Sequence, residues 1–232
     1  MSLHVEWIGH ACFRLTADDG PVVVTDPYEP GELGLPRLAL AADVVVASSL
    51  EDRGHWNPEA VPHARIVDAL SVARGAHDEI AGERVVAVEV REAEHHPEGP
   101  DANAMYGFGL GGLALVHMGD LGHPAAPQHL APFRGRCDVL FALTGGGLTI
   151  PLEDLDRVIE ALEPRWIVPM HYAHPALDAR VRSSMLPLEE CLERRPRDPV
   201  VQAADTGITL PLEQTSSRPT IVVLEPLAVM TS

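Results

Sequence analysis

Short apolar runs, each broken by glycine, proline or a polar cluster, dominate this chain. Residues 4–8 alternate between polar and apolar, residues 11–15 form a second run, and residues 22–25 form a third after the turn Asp18-Asp19-Gly20-Pro21. Runs so closely spaced predict an antiparallel meander. Residues 28–42, rich in proline, glycine and leucine, read as a loop that covers a site. Val44-Val45-Val46-Ala47 is continuously apolar, as in a strand buried on both faces. Further strands are predicted over residues 64–70 and 84–90, and a hairpin over 105–110 and 113–117 across Gly111-Gly112.

The second half alternates differently. A short helix over 127–133 precedes a strand over 137–142 and the glycines 145–147. Leu152, Leu155, Val158, Ile159 and Leu162 fall at helical spacing behind Pro151, with Glu153 and Asp154 in the first turn and Pro164 as the stop. A strand over 165–170, a helix over 186–193 and closing strands over 206–210 and 220–224 follow. With no internal repeat and no linker, the chain reads as one domain over residues 1–232.

Four polar clusters sit where apolar strands end: residues 48–57, 94–99, 117–123 and 171–174. Each supplies histidine, aspartate or glutamate, the ligands of zinc, with manganese or iron as alternatives. Strand ends on one edge are where mixed folds assemble sites. His10 and Asp26 also fall at strand ends, either as turn residues or as a pair flanking the site.

Charge narrows the partners. The net charge is −17, and all 17 basic residues are arginine. Such a chain is repelled by nucleic acid and by anionic membrane, which leaves a small-molecule substrate or anion, with a homo-oligomer also open. The N-terminus lacks a basic region followed by an apolar one, and no apolar stretch reaches about 18 residues, so a cytoplasmic location is expected. Cys12, Cys137 and Cys191 are far apart and suit neither a disulfide scaffold nor a thiolate site.

Several segments, taken in order, carry a resemblance. They are Trp7-Ile8-Gly9-His10-Ala11-Cys12-Phe13, Val24-Thr25-Asp26-Pro27, His117-Met118-Gly119-Asp120-Leu121-Gly122-His123, Asp138-Val139-Leu140, Gly145-Gly146 and Pro169-Met170-His171-Tyr172. Together they resemble the metallo-β-lactamase superfamily, specifically its branch similar to L-ascorbate-6-phosphate lactonase. The likeness extends to about Pro226. It implies an α+β fold, a four-layer αβ/βα sandwich of two mixed sheets with helices outside, and metal-dependent hydrolysis.

The resemblance also implies a ligand set. The bridging carboxylate falls on Asp120, the late histidine on His171, and the middle-loop histidine on His95, with His96 as the alternative. The HxHxDH loop falls at residues 49–54, where this chain has Ser49, Glu51, Arg53 and Gly54. All four expected ligands are replaced. An Arg53 pointing inward would repel a divalent ion by roughly 8 kcal/mol at about 4 Å and an effective dielectric near 20. It would then pair with Asp120 and stand in for the metal.

A shift of register by one residue rebuilds a site instead. Glu51 or Asp52, with His55, His95, His171 and Asp120, makes a reasonable single-metal set. Around it, His10, Asp26, Arg53, Asn103, His123 and Tyr172 are candidates for orienting ligands or holding substrate. Two functions follow. One is a hydrolase of lactone, ester or phosphoester bonds with an altered, mononuclear site, in which Asp120 holds or deprotonates water. The other is an inactive, metal-free member that binds an anion through Arg53, Arg14 or a neighbouring histidine.

Overall fold

Alternation at period two makes the inner strands of the first sheet two-faced. Val44 and Val46 belong to one buried cluster and Val45 to another, and Val23 and Val24 divide the same way. A strand with apolar side chains on both faces needs a layer on each side. The computed structural model describes residues 2–92 and 102–227 and supplies those layers.

The first sheet holds β1 (Leu3–Gly9), β2 (Cys12–Ala17), β3 (Val22–Thr25), β4 (Val44–Ala47) and β5 (Arg65–Asp68). A later strand is added at its outer edge. β1, β2 and β3 are antiparallel, as the short connections dictate, whereas β3, β4 and β5 run parallel. A two-stranded ribbon, β6 (Glu79–Ile80) and β7 (Glu83–Arg84), leads to the second sheet. That sheet takes β8 (Val86–Arg91), β9 (Ala102–Leu110), β10 (Leu113–His117), β11 (Val139–Leu143) and β12 (Trp166–Met170). Its far edge is completed by β13 (Val200–Gln202) and β15 (Thr220–Val223), while β14 (Gly207–Leu210) returns to pair with β1.

One large core cluster joins Leu3, Val5, Phe13 and Val46 of the first sheet to Tyr106, Val116 and Phe141 of the second. The other face of the first sheet, Ile8, Cys12, Val24 and Val45, is covered by Tyr28, Leu33, Leu177 and Met185. Leu33 belongs to α1 (Pro30–Leu33), a single turn inside the loop expected over 28–42. The mixed sheets and flanking helices form the expected α+β sandwich. Among the described residues no helix is long and apolar enough to cross a membrane.

The strand expected over residues 64–70 ends early. The Asp68 side chain accepts the Ser71 amide at 3.2 Å and starts α2 (Ala69–Ala73). An aspartate N-cap outweighs the apolar run beyond it. The amphipathic helix appears as α4 (Leu152–Leu162), after α3 (Pro127–Leu130). It buries Leu152, Leu155, Val158, Ile159 and Leu162, the residues its spacing predicts. α5 (Ala179–Arg182) carries no buried residue, and so no apolar periodicity announces it. α6 (Leu188–Arg194) follows.

Candidate metal centre

Five strand ends meet at one edge of the sandwich. His10 stands in the turn from β1 to β2, Asp26 follows β3, and Asp52 and His55 follow β4. Asp120 follows β10, and His171 follows β12. His10, Asp26 and His171 have φ of 54°, 37° and 55°. Left-handed backbone at non-glycine residues is strained and persists where packing over-determines it, often at functional sites. Each of these residues turns abruptly off its strand, which aims the side chain across the sheet edge.

The imidazoles of His10, His55 and His171 converge, with ligand atoms within 4.8 Å of one another. The His10 and His171 rings lie 3.8 Å apart between centroids, and His55 and His171 lie 5.6 Å apart. Asp52, His55 and Asp120 form a second such group that shares His55. Asp120 Oδ1 is 3.4 Å from His171 Nε2, and its Oδ2 is 3.7 Å from His55 Nε2. Asp52 Oδ2 is 3.8 Å from the same His55 nitrogen. The side chains of Asp52 and Asp120 are each 16% exposed, against 1% for His55 and 5% for His171. The carboxylates therefore face the opening and the imidazoles form the floor.

Buried partners fix these side chains. Asp26 accepts the Ser48 amide on Oδ1 at 2.7 Å and holds His55 Nδ1 with Oδ2 at 3.1 Å. Tyr106 donates to the same Oδ1 at 3.5 Å. His55 Nδ1 thus carries a proton and Nε2 is aimed at the site. Asn103 accepts the Asp120 amide at 2.9 Å on Oδ1 and pins the turn. Gly119 makes that turn possible at φ 60°, because a Cβ there would overlap the Ala104 carbonyl and the Asn103 amide oxygen. His117 bonds the Ala11 carbonyl through Nε2 at 3.0 Å and accepts the Gly119 amide on Nδ1 at 3.1 Å. With both nitrogens engaged, it serves as a neutral strut.

Protonation divides the histidines. Burial, together with the charges of His171 and His55, lowers the pKa of His10 well below that of a free imidazole. Burial and the neighbouring His55 charge lower His171 to about 3. Burial also works against a charge on His55, but the Asp52 and Asp120 carboxylates and the Asp26 hydrogen bond outweigh it and hold its pKa at about 10. In the ion-free protein a proton on His55 therefore supplies the positive charge between the carboxylates.

The donor set fits a metal ion. His10 Nδ1, His55 Nε2 and His171 Nδ1 are buried without a hydrogen-bond partner. His55 Nε2 lies between Asp52 and Asp120, and His171 meets Asp120 through its other nitrogen, Nε2; imidazole and carboxylate donors so gathered are the chemistry that zinc, manganese and iron accept.

The remaining candidates are placed as follows. Glu51 is exposed, its amide bonds Ser49 Oγ at 3.3 Å, and it is in neither ligand group. An inward Arg53 paired with Asp120 does not occur. Its side chain is 68% exposed and pairs with Glu32 at 3.3 Å. Arg14 pairs with Glu6 at 2.5 Å. His123 accepts the Arg91 amide at 3.2 Å and bonds the Pro124 carbonyl at 3.0 Å, outside the cluster. Tyr172 packs on Trp7 at 5.2 Å, and Trp7 Nε1 donates to the His10 carbonyl at 3.0 Å. These rings support His10 from behind. His95 and His96 lie outside the described residues.

Sequence reasoning gave His10 only an orienting role, yet its ring stands in the floor of the cluster. It also assigned no role to Ser48, Tyr106 or His117. His117 opens the quoted Asp120 motif, so the sequence held a signal. Nothing in the sequence marks Ser48 or Tyr106.

A mixed-sheet sandwich with histidines and aspartates gathered at one strand edge defines the metallo-β-lactamase class. Residues 4–171 match the model of the β-lactamase superfamily domain, and the chain belongs to that family. A UPF0173 protein of Pyrococcus furiosus is 27% identical over 184 residues, covering 73% of this chain and 83% of its own. A UPF0173 metal-dependent hydrolase of Anaeromyxobacter sp. strain K is 27% identical over 207 residues, covering 72% and 74%. Among solved structures, a putative zinc-dependent hydrolase of the superfamily from Thermotoga maritima superimposes with a TM-score of 0.66 at 26% identity, over 95% of this chain and 97% of that one. Igni18, a metallo hydrolase of Ignicoccus hospitalis, superimposes with a TM-score of 0.61 at 15% identity, over 92% and 100%, and shares the fold.

Proposed function

We propose that this chain is a metal-dependent hydrolase with a single-ion site held by His10, His55, His171 and Asp120, with Asp52 at its mouth. The observation that carries this reading is the convergence of three buried imidazoles beside Asp120, with His55 Nε2 left unpartnered between Asp52 and Asp120. The relatives named as metal-dependent and zinc-dependent hydrolases support it. Zinc is the first ion to test, then manganese and iron, as imidazole-rich sets with a carboxylate suit all three.

A divalent ion bound here would lower the pKa of water to about 7 and polarise a scissile carbonyl or phosphoryl group. The chain's own residues supply the rest. Asp120, 16% exposed and fixed through its amide by Asn103, takes the proton of the attacking water. Asp26 keeps His55 in the tautomer that presents Nε2. The lactonase-like motifs make lactones the first substrates to screen, then esters and phosphoesters.

The inactive, anion-binding reading loses its main support, since Arg53 is exposed and paired with Glu32. The test is metal content by mass spectrometry on untagged protein never exposed to chelator, followed by hydrolysis assays. About one equivalent of metal, with turnover abolished by Asp120→Asn, is expected. Folded protein with no metal above background would overturn the proposal.

A further inference from the structure

α4, the end of α6 and the segment before β15 line an open depression of about 400 Å³. It shares no residue with the metal centre. Four guanidinium groups line it, those of Arg194, Arg195, Arg197 and Arg218, against the carboxylates of Asp156, Glu160 and Asp198. In a chain of net charge −17, this lining carries an excess of positive charge.

Arg194, Arg195 and Arg218 are held by carboxylates, while Arg197 is exposed beside them. Asp156 Oδ2 accepts Nε and Nη2 of Arg194 at 3.0 and 2.6 Å, and its Oδ1 accepts Nη1 of Arg195 at 3.0 Å. Arg195 Nη2 pairs with buried Asp198 at 2.6 Å, and Arg218 Nη1 reaches the other oxygen of Asp198 at 3.3 Å. Both oxygens of Asp156 are thereby engaged, whereas Asp198 Oδ2, though close to Arg195, is left without an aligned hydrogen bond. Arg195 Nε is buried with no acceptor. Arg197 has no carboxylate partner among the described residues. Guanidinium forks locked in place by carboxylates lose little freedom when they take up an anion.

We propose that this depression binds a phosphate group, either free or carried by a small organic ester. A tetrahedral dianion presents several acceptor oxygens, which suits donors arriving from four arginines better than a planar monoanion does. Four guanidinium groups against three carboxylates leave one positive charge for the anion, and Arg197 and Arg218 present the more exposed donors.

The experiment is calorimetric titration of the full chain with inorganic phosphate, glycerol phosphate and sodium acetate at constant ionic strength. Wild type, Arg197→Ala, Arg218→Ala and His171→Ala are compared. Arg197 is exposed and unpaired, so its alanine variant keeps the fold. The expected result is saturable phosphate binding, weakened about tenfold by Arg197→Ala and by Arg218→Ala, unchanged by His171→Ala, and not reproduced by acetate. Tighter binding of glycerol phosphate identifies an organic ligand, and tighter binding of inorganic phosphate identifies the free ion. Binding lost in His171→Ala but kept in Arg197→Ala places the anion at the metal centre and overturns the proposal. Absence of saturable binding by either phosphate overturns it as well.

Discussion

Asp26→Asn tests how the centre is built. The substitution keeps size and shape and tolerates the left-handed backbone at this position, where φ is 37°. The amide oxygen can still accept the Ser48 amide (2.7 Å in the native protein) and the Tyr106 hydroxyl. What changes is the atom that faces His55 Nδ1 at 3.1 Å, where an acceptor becomes a donor. His55 must then surrender that hydrogen bond or move its proton to Nε2, the nitrogen offered to the ion. Loss of such an orienting partner lowers metal affinity about 10- to 100-fold, or about 1.4 to 2.8 kcal/mol. Removing a hydrogen bond to a charged group also costs the metal-free protein about 1.5–3 kcal/mol of folding stability. Zinc affinity is measured by competition with a chromophoric chelator, and stability by urea unfolding of the metal-free protein. If the folded variant binds zinc within about twofold of wild type, the argument that Asp26 prepares His55 as a ligand fails.

Stability of the metal-free protein should peak near neutrality. His55 is raised to about 10, so its contribution is complete below its unfolded value of about 6.5 and is lost as pH rises through 10. His10 and His171 are lowered, His171 to about 3, so theirs is present above about 6.5 and is lost as pH falls toward 3. Urea midpoints that rise monotonically from pH 5 to pH 9.5 would contradict these protonation states. Gly145→Ala places a Cβ on the His171 carbonyl oxygen, and we expect a lower melting temperature together with weakened metal binding. Native-like values for both would show that this close approach is not needed. Arg53→Ala breaks only the exposed pair with Glu32, so stability should move by less than about 1 kcal/mol and zinc affinity should hold. A large rise in zinc affinity would restore an inward role for Arg53.

The sequence by itself determined most of the strand pattern, the amphipathic α4 and the strand ends at which polar residues gather. These follow from local periodicity and turn chemistry, which act over a few residues. It also marked Asp120, His171 and His55 as candidates, because histidine and aspartate at the end of an apolar strand have few structural uses. Tertiary structure decided which loop residues face inward. Between Ser49 and His55 the chain turns twice, so spacing alone cannot tell Glu51 from Asp52 or aim Arg53. Packing sends Arg53 out to Glu32 and brings Asp52 and His55 toward Asp120. Only the folded chain shows His10 beside His171, 161 positions away in sequence and 3.8 Å between ring centroids. Only the folded chain also sets Ser48, Tyr106 and His117 around Asp26. Those are contacts between separate strands, and they exist only once two sheets have closed over a common core.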